Sequence, residues 1–209
     1  MKTVATNEAR MTSSRLPGKV IMKVKKKMLL VYLVERLKKV KEIEEIILCT
    51  TKNKTDDILV EQAKILNIKF FRGSENNVLS RVVNAVKKFK ADTIVQITAD
   101  CPIIDYKIIK QAISIYNKNK YDCVSNSFVR SFPDGMDVSV VNSKSLIKTN
   151  TLSKKKKHKE HVTLFIRENP KIFKIKNLIA TKKNYWPELG VTLDEKKDYL
   201  FWILCEFSL

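Results

Sequence analysis

TIVQITADCPIID, residues Thr93 to Asp105, decides how the rest of the chain is read. Thr93 to Thr98 is a short β-branched run, too apolar to lie with one face in water, so it reads as a buried strand. A carboxylate and a proline follow at once, Asp100 and Pro102. Asp105 then stands as the N-cap of a helix running to Tyr116. A strand buried on both faces belongs to a parallel sheet covered by helices, and such sheets bind ligands beyond the C-terminal ends of their strands. Asp100 sits at that place. Mg²⁺ asks for one or two carboxylates beside phosphate oxygens, a role this position suits.

The same rhythm extends in both directions. Upstream, the spacing predicts helices over Met28 to Val40, Thr55 to Leu66 (Thr55 as N-cap, Asp56 and Asp57 in the first turn) and Asn76 to Lys88. Strands are expected at Glu45 to Thr51 and Ile68 to Arg72, preceded by a first strand within Lys2 to Asn7. Downstream comes a strand at Tyr121 to Ser125, and beyond Asn126 the pattern loosens. Strands are expected at Met136 to Val141, near Ile172 to Lys176 and at Val191 to Leu193, with helices at Ser143 to Leu152, Lys159 to Glu168 and from Glu195. The fold class is therefore α/β, a doubly wound, mostly parallel sheet flanked by helices. No linker or repeat divides residues 1–209, so a single domain is expected, with a substrate-side subregion at about 127–185.

Composition bounds the function. The 209 residues are 44% hydrophobic and 30% charged, a globular balance. No apolar run reaches the ~18–20 residues that span a bilayer, and MKTVATNEARM has no apolar core of a secretory signal. Both point to a cytoplasmic protein without a membrane partner. Cys49, Cys101, Cys123 and Cys205 lie apart, with no metal spacing, and read as reduced thiols. The formal charge of +19 invites a nucleic-acid partner, but only seven of the 41 basic residues are arginine, the residue that grips phosphate and base edges bidentately. A solvated lysine surface accounts for the excess better. Glycine is scarce, four in all, so Pro17-Gly18, Gly73 and Pro133-Asp134-Gly135 mark places where the backbone needs it.

Ala9-Arg10-Met11-Thr12-Ser13-Ser14-Arg15-Leu16-Pro17-Gly18-Lys19 follows the first strand and gathers three cations, three hydroxyls and a Pro-Gly turn. That composition suits a triphosphate, although no Walker A pattern is present, and an ordinary basic turn would read the same way. Asp194 ends another short apolar run and could share a cation with Asp100.

These segments resemble the cytidylyltransferase family, closest to its spore coat polysaccharide biosynthesis branch. The resemblance rests on residues 9–19, Thr50-Thr51, Phe71 to Glu75 with Val78-Leu79 and Arg81, and Ile97 to Pro102. It continues through Val124 to Asn126, Phe132 to Val138, Glu160 to Thr163 with Ile166 to Asn169, and Trp186 to Leu189 with Thr192, Asp194 and Asp198. It implies a Rossmann-like nucleotide-diphospho-sugar transferase fold and Mg²⁺-dependent transfer of CMP from CTP to an acidic or modified sugar, with pyrophosphate leaving. Under it, Arg15, Lys19 and Asp100 are catalytic, and Ala9, Arg10, Ser13, Arg72 and Ser74 join them in holding the nucleotide. Asn126, Arg130, Asp134, Asp137, Glu160 and His161 face the sugar, and Asp100 and Asp194 carry the metal. Relatives are commonly dimers, so a homodimer is the implied assembly.

The chain departs from the family pattern at its first strand, which is polar, and at five further places. Glu8 replaces glutamine, Thr12 glycine, and Gln96 and Gly190 arginine; Lys25 to Met28 replaces a Gly-Lys-Pro turn. These departures leave open a nucleotide-binding module of weakened activity, and the charge leaves a nucleic-acid binder as a third reading.

Overall fold

Val4, Ile47 and Ile94 point to one face of a sheet and Ala5, Leu48, Val95 and Ile97 to the other, and all are buried. Apolar residues at both parities leave the central strands no solvent face, so helices cover the two sides. The computed structural model describes residues 1–204; Cys205 lies outside them. In chain order the elements are β1 (Thr3–Glu8), β2 (Lys23–Val24), β3 (Lys27–Met28), α1 (Leu29–Lys38), β4 (Glu45–Thr51) and α2 (Asp57–Ile65). Then come β5 (Lys69–Gly73), α3 (Val78–Phe89), β6 (Thr93–Thr98), α4 (Tyr106–Lys118), β7 (Cys123–Ser125) and β8 (Ser139–Asn142). The last are α5 (Ser143–Leu152), α6 (Lys156–Glu160), α7 (Leu164–Glu168), β9 (Ile175–Asn177) and α8 (Lys196–Leu204).

Seven strands form one sheet in the order β5-β4-β1-β6-β8-β7-β9, and β2 pairs with β3 in a separate hairpin. Strand β8 alone in the large sheet runs against its neighbours. α1, α2 and α4 pack on one face with Leu33, Leu59 and Ile109, and α3, α5 and α7 cover the other with Val82, Leu146 and Ile166. From β1 the chain proceeds outward through β4 and β5, then returns to lay β6 on the opposite side of β1. The strand order therefore reverses between β1 and β6, and the crevice at their C-terminal ends is the place for a ligand.

Several expected elements differ. α2 starts at Asp57 after a 3₁₀ turn over Lys54–Asp56, so Thr55 is not its cap; the Asp56 carboxylate is drawn instead to the Thr50 and Thr51 hydroxyls. The helix expected over Lys159 to Glu168 is two short ones, α6 and α7, broken where Val162 turns into the core. β8 begins only at Ser139, because Met136 belongs to the turn after Pro133. Val191 to Leu193 forms no strand: a single bridge pairs Gly190 with Asp134. The three described cysteines are free and buried.

Candidate active site

The loop after β1 is tied down at both ends. Gly18, at φ 72°, donates its N–H to the Met11 carbonyl (2.9 Å) and closes the turn. At the other end the Met11 N–H donates to Asp56 Oδ1 (2.8 Å), while Oδ2 of that carboxylate accepts from Thr51 Oγ1 (2.5 Å) and Thr50 Oγ1 (2.9 Å). Burial works to raise the Asp56 pKa, but the Thr51, Met11 and Thr50 donors outweigh it and hold the carboxyl below its ordinary range. Thr12, in place of glycine, is not at positive φ, and its hydroxyl donates to Glu75 Oε1 (2.5 Å). The position therefore needs no glycine here.

Lys19 leaves this loop and puts its ammonium between two carboxylates far apart in sequence, one mid-chain and one near the C-terminus. Nζ donates to Asp100 Oδ2 at 2.9 Å and to Asp194 Oδ1 at 2.7 Å. Arg15 reaches the far oxygen of Asp194 at 2.9 Å. The backbone enforces the meeting: the Leu193 N–H donates to the Asp100 carbonyl, and the N–H groups of Asp194 and Glu195 donate to the Asp198 side chain. Desolvation works to lower the Lys19 pKa, but the charges and hydrogen bonds of Asp100 and Asp194 win and raise it, so the ammonium stays charged.

A cavity of ≈ 450 Å³ opens over this cluster. Ala9, Arg10, Ser13, Arg15, Lys19, Asp100 and Asp194 line it on the side of the 9–19 loop, and Asp137, Glu160 and His161 reach it from the far side. Glu8, Gln96, Ser127, Ser139 and Thr163 complete the far wall. A second hollow of ≈ 350 Å³ shares Ser127, His161 and Thr163 and continues to Arg167. Burial pushes Glu8 up to about 7, against the Gln96 hydrogen bond and the Arg81 charge that favour its ionised form. Burial likewise raises Asp137, although Arg130 grips both its oxygens at 3.2 and 3.1 Å.

Residues 8–207 match the family model described as cytidylyltransferase. The chain belongs to the cytidylyltransferase family. A curated relative, the spore coat polysaccharide biosynthesis protein SpsF of Bacillus subtilis, is 32% identical over 197 residues, 92% of this chain and 81% of that one. An uncharacterized protein of Methanocaldococcus jannaschii is 36% identical over 203 residues, covering 97% and 82%. The solved structure of a cytidylyltransferase from Leptospira borgpetersenii superposes with a TM-score of 0.90 at 32% identity, covering 95% of this chain and 84% of that one. The doubly wound fold is thus the nucleotidyltransferase fold of this family, and the protein is a nucleotidyltransferase enzyme.

Five candidate residues of this cytidylyltransferase stand away from the cavity wall. Arg72 is fully engaged within the β4–α2 loop, donating to the Thr51 and Asn53 carbonyls and to Asp57. The Ser74 hydroxyl accepts from the Asn77 N–H before α3. Asn126 is buried and staples the 136–138 segment through the Met136 carbonyl and the Val138 N–H. Arg130 and Asp134 form an ion pair behind Asp137. Sequence reasoning passed over Asp56, the anchor of the 9–19 loop, and read it as a first-turn helix residue. The adjacent Thr50-Thr51 pair was the one signal of its role. Nothing in the sequence marked Ser127 or Ser139 as wall residues, and Thr163 was marked only by its place in the Glu160 to Thr163 segment.

Proposed function

We propose that this cytidylyltransferase transfers CMP from CTP to an acidic or modified sugar destined for a cell-surface polysaccharide, working in the cytoplasm with Mg²⁺. The observation that carries the reading is the convergence of Asp100 and Asp194 on the Lys19 ammonium, beside the loop of residues 9–19 and at the mouth of the β1/β6 crevice. The polysaccharide setting rests on the likeness to SpsF.

Arg10, Arg15 and Lys19, with the hydroxyl of Ser13, hold the triphosphate by charge-assisted hydrogen bonds and neutralise the departing pyrophosphate. An acceptor hydroxyl on the far wall then attacks the α-phosphorus: its proton passes to solvent, its O–P bond forms as the bond to the bridging oxygen breaks, and pyrophosphate leaves with the electron pair. Orientation supplies most of the acceleration in such a step. Asp100 and Asp194 already face one cation together, and two carboxylates completed by phosphate oxygens fit the donor set of Mg²⁺. Among the described residues no three acidic, histidine or cysteine side chains group to hold a metal unaided, so the nucleotide would complete the shell. When bound, Mg²⁺ supplies neutralisation of phosphate charge.

The test is pyrophosphate release with CTP, UTP, ATP or GTP, Mg²⁺ and a sugar panel. CTP is expected to be preferred, and Asp100→Ala to cut turnover by about 10²–10³-fold. CTP binding without turnover on any sugar would favour the binding-module reading instead.

A further inference from the structure

We infer that Lys19 is the resident counter-ion of the Asp100–Asp194 pair in the nucleotide-free enzyme, and that Mg²⁺ reaches both carboxylates only as the Lys19 ammonium leaves them for the phosphates of CTP. Resting on the metal-assisted transferase reading, this adds a regulation to the same site: the metal loads with the nucleotide and not ahead of it.

Three of the four oxygens of the pair are already held by cations. Lys19 Nζ donates to Asp100 Oδ2 at 2.9 Å and to Asp194 Oδ1 at 2.7 Å, and Arg15 holds Asp194 Oδ2 at 2.9 Å. Only Asp100 Oδ1 lacks a cation; its contact is the Cys101 thiol at 3.7 Å. An ion shared by both carboxylates must therefore take an Asp194 oxygen from Lys19 or from Arg15. The Arg15 side chain is 59% exposed and touches one carboxylate, whereas that of Lys19 is 12% exposed and bridges the two. The seat between the carboxylates is the one Lys19 fills. Two cations repel each other in so small a space, so the ammonium has to leave it.

The Lys19 backbone is fixed, with its N–H on the Leu16 carbonyl (3.3 Å) and the next side chain, Val20, in the core. Movement is confined to the four-carbon side chain, which is flexible and carries a compact point charge. A displaced ammonium enters a cavity whose near wall is cationic, with Arg10 and Arg15. On the far wall Arg130 grips both Asp137 oxygens, and Glu160 stands across the cavity. Without nucleotide, a charge stripped of two charge-assisted hydrogen bonds finds nothing at the loop to replace them, and metal binding carries that cost. A triphosphate on the loop of residues 9–19 supplies the missing anion, so the exchange becomes favourable once CTP is present. By linkage the metal then strengthens CTP binding by the same factor. One ammonium thus serves the carboxylates and the phosphates in turn, not together.

The experiment titrates the nucleotide-free full chain with MnCl₂ by calorimetry, since Mn²⁺ shares the preference of Mg²⁺ for carboxylate oxygens. Lys19→Met is expected to bind Mn²⁺ at least about tenfold more tightly than wild type. Arg10 lines the same cavity wall but pairs with Glu75 and neither aspartate, so Arg10→Gln removes an equal charge and should change the affinity by less than about twofold. Adding Asp194→Asn to Lys19→Met should abolish the gain. A second readout needs no variant: in trace acetylation of wild type followed by peptide mass spectrometry, saturating Mn²⁺ should raise Lys19 labelling several-fold. Equal Mn²⁺ affinity in wild type and Lys19→Met, an equal gain in Arg10→Gln, or Mn²⁺ binding that leaves Lys19 labelling unchanged overturns the inference. The transferase reading is tested apart, by pyrophosphate release. Turnover that needs Asp100 survives any of those results, whereas turnover untouched by Asp100→Ala removes the metal pair and this exchange together.

Discussion

Gly135 holds φ at 102°, and a Cβ there would stand 2.7 Å from both the Thr192 nitrogen and the Val191 carbonyl carbon. That backbone leads straight to Asp194, two residues on, so Gly135→Ala strains its own turn and pushes the Asp194 carboxylate away from Lys19. The expected cost is about 1–3 kcal/mol of stability by urea unfolding, with turnover falling by up to about 10²-fold from misplacement of Asp194. Unchanged turnover in a folded variant would show that Asp194 is not a working part of the site. Asp56 acts on the loop of residues 9–19, through the Met11 N–H. Its carboxyl is held below the ordinary range, so its contribution is present above the unfolded pKa and is lost as pH falls through the folded one. Asp56→Asn should therefore destabilise by about 1.5–3 kcal/mol at pH 7, and the gap from wild type should close under strongly acidic conditions; a gap that persists at low pH would refute the assignment. At this scale the sequence disclosed Asp100 and Asp194, because each ends an apolar run beside a turn. It concealed the Glu8–Gln96 contact, since the partners lie 88 residues apart and only strand register unites them.

Lys25 and Lys26 join β2 to β3 with φ of 48° and 64°, so both central residues of a two-residue hairpin occupy the left-handed region. Asparagine and glycine are the residues that such a turn favours. The double substitution Lys25→Asn/Lys26→Gly is expected to stabilise by about 1–2 kcal/mol, raising Tm by about 2–8 °C. A lowered Tm would mean that the lysines make contacts worth more than the backbone strain. The departure from a Gly-Lys-Pro turn was visible in the sequence; its conformational consequence was not. Other elements divide in the same way. β4 and β6 fall where apolar run-length placed them, because a strand buried on both faces writes itself as an unbroken β-branched stretch. The α6–α7 break was hidden because Val162 satisfies helical spacing, although it fills the core between α3 and α7 only by ending α6. Val191 to Leu193 is apolar for a third reason: Val191 and Leu193 pack with Leu29, Ile103 and Trp202 in a small cluster under the site, so their burial signals packing and not pairing.

Across the molecule the excess of 19 positive charges is carried largely by lysines on the surface, while the cations of the cleft are few and mostly committed: Lys19 to two aspartates, Arg15 to one, Arg10 to Glu75. Such a field draws a polyanion in from a distance but contributes little to the transition state, which is stabilised by groups in contact. Salt screens the first effect and spares the second, since the Debye length falls from about 10 Å at 0.1 M to about 3 Å at 1 M. KM for CTP is therefore expected to rise several-fold between those salt concentrations while kcat changes by less than about twofold. The same field predicts only weak association with duplex DNA, because lysines spread over a surface lack the forked geometry that grips phosphate and base together. Fluorescence anisotropy with a labelled duplex should detect little binding at physiological salt. Tight duplex binding that collapses with salt, with no matching salt dependence of KM for CTP, would assign the charge to a nucleic acid and leave the cleft without its long-range attraction for nucleotide.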